Sequence, residues 1–122
     1  MRVTLIVAGC LLLGNHFLRA SEAKGVNFKQ QILPILKESC FECHGPTKQK
    51  GKLRLDEREK SLAGGRSGAV LIAGKAEESD LYKRLLLPKG NEDRMPNEGE
   101  PLGKEKTDLI RDWINQGAAL IQ

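Results

Sequence analysis

Cys40-Phe41-Glu42-Cys43-His44 is the stretch that decides how this 122-residue chain is read. Two cysteines two residues apart, with histidine immediately after, form the spacing of covalent c-type haem attachment. Each position has a chemical task. Two thiols can add across the two vinyl groups of a haem, and a two-residue gap lets one helical turn span them. His44 then falls under the iron, where an imidazole nitrogen can serve as the proximal axial ligand. Taken alone, the pentapeptide leaves two rivals open. A structural zinc site would need a fourth ligand, with no second CxxC or HxxxH in the sequence to supply it. A thiol–disulfide oxidoreductase would need a βαβ setting around the motif, and no such pattern surrounds it.

Upstream of the motif, Met1-Arg2 and the apolar run Val3 to Gly14 resemble a short export signal. Small residues at Ser21 and Ala23 place the expected cleavage after Ala23. This gives a signal peptide over 1–23 and one domain over 24–122. The apolar run is short for a bilayer span, so an uncleaved periplasm-facing anchor is the alternative. Val7-Ala8-Gly9-Cys10 resembles a lipoprotein box, but cleavage there would leave an apolar Leu11-Leu12-Leu13 tail. The removed segment would take Cys10 and His16 with it, leaving Cys40, Cys43 and His44 as the remaining cysteines and histidine. Export and CxxCH agree, because haem is attached outside the bacterial cytoplasm. The expected location is the periplasm.

Composition narrows the function classes. Charged residues make up 30% and hydrophobic ones 39%, as in a soluble globular protein. Loss of Arg2, Arg19 and Glu22 lowers the formal charge from +4 to +3. No basic stripe interleaved with aromatics is present, which argues against nucleic acid. Around Gly74-Lys75, a phosphate-loop pattern fails at Ala69 and Ala76, where glycine and Ser/Thr would be required.

Periodicity supplies the elements. Asn27 is placed to cap a helix from Phe28 to about Ser39, with Phe28, Ile32, Ile35 and Leu36 on one face. Pro34 predicts a kink or a break into two short turns. Gly45-Pro46 ends that segment and opens a lysine-rich loop. The alternation of Leu53-Arg54-Leu55-Asp56 and the apolar run Ala69 to Ala73 predict a short β-pair, with a helical turn over Glu57 to Leu62 between them. Ser79 or a neighbouring acidic residue is placed to cap a helix from about Asp80 to Leu87, and Pro88 to Asn91 stops it. A last helix, Lys104 to Gln116, carries Leu109, Ile110, Trp113 and Ile114 on one face and ends at Gly117. It is expected to pack on the Phe28 to Leu36 segment.

Met95 is the second candidate site residue. It lies in the polar loop Glu92 to Pro101, between Arg94 and Pro96, where a thioether is poorly placed as core filler. At 51 residues beyond His44 it can reach the opposite haem face. His/Met ligation raises the iron potential, because thioether sulfur favours Fe(II). An exposed loop methionine is the plain alternative.

Together these motifs resemble the planctomycete-type cytochrome c domain. The resemblance is carried by Val26-Asn27-Phe28, Ile32 to Leu36, Cys-Phe-Glu-Cys-His-Gly-Pro, Leu53 to Asp56 and Gly74-Lys75. Glu78 to Leu81, Arg94-Met95-Pro96 and Trp113 to Ala118 continue it. One departure is Asn97, where the family usually has a further proline after Met-Pro. The resemblance implies an all-α, class I cytochrome c-like fold around one covalent haem c per chain. It implies Cys40 and Cys43 as attachment points and His44 and Met95 as axial iron ligands. The expected function is electron transfer rather than catalysis, with redox partner proteins, a membrane-associated redox complex among them, and no small-molecule substrate. The alternative is a haem enzyme or gas sensor whose sixth ligand is labile or absent. Arg94, Arg66 or nearby lysines are the candidates to pair with haem propionates, with plain surface charge as the alternative.

Overall fold

The computed structural model describes residues 25–120, so the expected signal segment 1–23 lies outside the described residues. Within them the chain is helical, as expected, with no strand and no helix long and apolar enough to cross a membrane. The side chain of Asn27 accepts a hydrogen bond from the Gln30 N–H at 2.9 Å, and the Gln31 side-chain oxygen accepts one from the Asn27 N–H at 2.7 Å. Two orphan donors at the helix start are thereby satisfied. From there Phe28–Ile32 winds as a wide π turn, and α1, Leu33–Ser39, continues it. The Leu33 N–H reaches back five residues to the Phe28 carbonyl. Pro34 sits in the first turn of α1, where its missing N–H forfeits no helical bond. The expected break is thus a change of helix pitch placed just ahead of the proline.

The remaining helices are α2 (Arg58–Ala63), α3 (Asp80–Leu85) and α4 (Lys104–Asn115), with single 3₁₀ turns at Lys50–Lys52 and Ala76–Glu78. Gly117, at φ 112°, closes α4. The interior is built from Ile32, Leu36, Ile110, Trp113 and Ile114, all nearly or fully buried, with Phe28 stacked at a tilt on Trp113, 5.8 Å between ring centroids. This is the expected packing of the last helix on the first. Gln116 locks it by exchanging two hydrogen bonds with the backbone of Val26, at 2.8 and 2.5 Å.

Two local expectations need correction. The β-pair does not form. The Leu55 N–H donates to the His44 carbonyl, 2.9 Å away, and the Val70 carbonyl accepts from the Leu81 N–H. The two segments bond elsewhere, and the described residues contain only isolated bridges, at His44–Gln49 and Gly65–Gly68. Ser79 precedes α3 but does not cap it. Its hydroxyl turns the other way, accepting from Ile72 N–H at 2.9 Å and donating to the Lys75 carbonyl at 2.8 Å. Helix α3 also stops two residues short of the expected Leu87, and Leu86 is left 54% exposed.

Candidate haem site

Helix α1 delivers the Cys-x-x-Cys-His stretch and then loses regularity. Cys40 departs from helical geometry, and the chain closes on itself through His44 N–H to Cys40 O at 2.9 Å. Gly45 permits the sharp exit that follows. A Cβ at this position would lie 2.3 Å from the Phe41 carbonyl oxygen, closer than any side chain tolerates. The lysine-rich loop then folds back, tying Lys50 N–H to Cys43 O and Leu55 N–H to His44 O, both at 2.9 Å. The motif is therefore held from both sides by backbone bonds.

Beside it lies a cavity of about 420 Å³, within the roughly 300–1,000 Å³ of cofactor and ligand sites. Cys40, Cys43, His44 and Met95 all line it. The four site residues read from the sequence thus face one space, although Met95 comes from a different part of the chain. The loop bearing Met95 is anchored by Met95 N–H to Arg84 O at 3.1 Å. Much of the remaining wall is aliphatic, with Leu36, Leu53, Leu55, Val70, Leu81 and Ile110 prominent.

The wall can be tested for its fit to a haem. Nδ1 of His44 is buried in protein with no hydrogen-bond partner, and the residue lines the cavity. Burial pushes the imidazole below its ordinary pKa. The carbonyls of Lys50 and Leu53 oppose that shift, although neither closes a hydrogen bond on Nδ1. The ring is thereby held neutral, as a metal ligand must be. Cys40 is raised to about 11, by burial first and by the neighbouring Cys43 second. A thiol kept protonated and tucked against an apolar wall suits a thioether anchor better than a metal thiolate. Among the described residues, no group of three or more His, Cys, Asp or Glu side chains could hold a metal ion. That counts against the structural zinc reading. The donor set, the apolar wall and the neutral imidazole fit a haem.

Some wall residues carried no signal in the sequence. Arg84 lines the cavity and is paired with Asp80 at 2.7 Å and Asp93 at 3.3 Å, so its charge is already answered. The i,i+4 spacing of Asp80 and Arg84 could have suggested the pair, but not its place at the cavity. Arg66, exposed, also lines the cavity and remains a propionate candidate. Arg94 does not line it. Its side chain is buried and donates to the Gly99 carbonyl at 3.1 Å.

A helical domain with a CxxCH motif at the end of its first helix, opening on an apolar cavity, is of the c-type cytochrome class. The family model for planctomycete cytochrome C matches residues 40–99, and the chain carries a planctomycete-type cytochrome c domain. No curated protein and no solved structure matches the chain. The family supports a haem-binding, electron-transfer role and implies covalently bound haem c.

Proposed function

We propose that this protein is a one-haem electron carrier with His/Met axial ligation, working in the periplasm with protein redox partners. Cys40 and Cys43 would hold the haem through thioethers, His44 would supply the proximal nitrogen and Met95 the distal sulfur. The observation that carries this reading is that His44 and Met95, 51 residues apart, line one apolar cavity together with both cysteines. When bound, the haem supplies one-electron chemistry at its iron. The chain supplies the rest. Its aliphatic wall would shield the group from water, and His44 and Met95 together would leave no open site for substrate.

The protein expressed with a haem-attachment system should therefore give a reduced c-type spectrum, with the haem surviving denaturation. Cys40→Ala together with Cys43→Ala should abolish covalent attachment, and a covalent chromophore in that double variant would sink the proposal. Carbon monoxide separates a carrier from a haem enzyme or gas sensor. The reduced carrier should resist the gas, whereas rapid, complete binding would point to an open sixth position.

A further inference from the structure

Arg94 is an anomaly that the haem ligand set does not use. It is 3% exposed, and of its guanidinium only Nη2 has a partner, the Gly99 carbonyl at 3.1 Å. Nε and Nη1 are buried with no hydrogen bond, and no ion pair answers the charge among the described residues. A buried charge is normally paired, and guanidinium cannot escape by losing its proton. The protein thus keeps a permanent, uncompensated cation in its interior.

Its position gives that cation a role. Arg94 immediately precedes Met95, whose side chain lines the cavity, and the bond to Gly99 closes the loop whose residues 95–98 form part of the wall. The backbone is pinned on both sides, by Arg94 N–H to Asn91 O and by Met95 N–H to Arg84 O, each at 3.1 Å. Nε and Nη1 are buried, and Arg94 is not among the residues that line the cavity, although its neighbour Met95 is.

We propose that Arg94 is a fixed internal cation that biases the iron in this cavity toward Fe(II) and so raises its reduction potential. The inference rests on the haem reading above. In the balanced step, Fe(III) takes one electron from an external one-electron donor, no bond forms or breaks, and no proton is taken up. A nearby positive charge destabilises the more highly charged Fe(III). Being buried, it is little screened by salt.

The test is a spectroelectrochemical titration of the haem-loaded parent, Arg94→Lys, Arg94→Gln and Arg66→Gln at low and high salt. Arg94→Gln should lower the Fe(II)/Fe(III) ratio at the parent midpoint about tenfold, equivalent to about 59 mV for one electron. That shift should persist at high salt, with the methionine–iron absorption band unchanged. Arg94→Lys, which keeps the charge, should stay within about twofold of the parent. Arg66→Gln, at an exposed site, should shift less and lose its effect in salt. A parent-like midpoint in Arg94→Gln would overturn the proposal. So would an equal drop in Arg94→Lys, which would make shape rather than charge the cause. Loss of the methionine–iron band or of haem in Arg94→Gln would assign the residue to holding the loop and also overturn it. Failure of the underlying reading looks different, because the parent itself would then lack covalent haem or the methionine–iron band.

Discussion

Met95 is the proposed distal ligand, and its surroundings favour that reading over core filler. A methionine in a folded chain usually fills a gap in the core, yet Met95 is half-buried, outside the cluster of buried apolar residues, and faces the cavity. If its sulfur is the distal ligand, Met95→Ala should open the sixth position. The reduced variant should then bind carbon monoxide, its midpoint should fall, and the methionine–iron band should vanish. An unchanged spectrum would remove Met95 from the ligand set. At this scale the sequence is most readable where the chemistry is covalent or the residue type is rare. Cys40, Cys43 and His44 are legible because thioether attachment dictates their spacing. Arg94 is not legible, because a single arginine in the polar run from Glu92 to Glu98 looks solvated. Only three-dimensional coverage by the Met95–Gly99 loop shows that it is buried.

Between the helices, hydrogen-bonding hubs replace the sheet that alternation suggested. Leu53 and Leu55 do point the same way, as a strand's period of two demands, but the surface they cover is the cavity wall. Alternation reports a half-buried extended segment and does not reveal whether another strand or a cofactor pocket lies beneath it. Ser79 shows the same ambiguity. Its place before an acidic helix start reads as a cap, yet its hydroxyl, fully buried, ties Ile72 to Lys75 in the preceding loop. Ser79→Ala should leave the Ile72 N–H short of a partner in the interior, while the Lys75 carbonyl keeps the Ser79 N–H at 3.1 Å. The expected loss is about 1–3 kcal/mol, or roughly 4–8 °C in Tm per kcal/mol for a domain this size. Thermal unfolding followed by far-UV circular dichroism measures it. A Tm within a degree of the parent would mean that water replaces the hydroxyl at no loss. The haem spectrum should not change, since Ser79 does not line the cavity.

Among the described residues, the packed core and the cavity share a wall to which α1 gives Ile35 and Leu36, α3 gives Leu85 and α4 gives Ile110. On α4, Trp113 and Ile114 face only the packed core, whereas Ile110 belongs to the core and also lines the cavity. The amphipathic spacing of α4 identifies all three as buried but cannot divide them, because a periodic stripe looks the same against side chains and against a macrocycle. The division makes a prediction that separates stability from function. Ile114→Ala removes fully buried volume from a site hemmed in by Trp113 and the first helix, and should cost about 2–5 kcal/mol. Its haem spectrum and midpoint should stay those of the parent. Ile110→Ala should lose stability on the same scale but also leave a void against the cavity, admitting water beside the haem and shifting the midpoint. Denaturant unfolding and redox titration of the two variants, run side by side, provide the check. Equal redox behaviour in both would mean that Ile110 does not bound the haem, and a shifted midpoint in Ile114→Ala would mean that core and cavity are mechanically one.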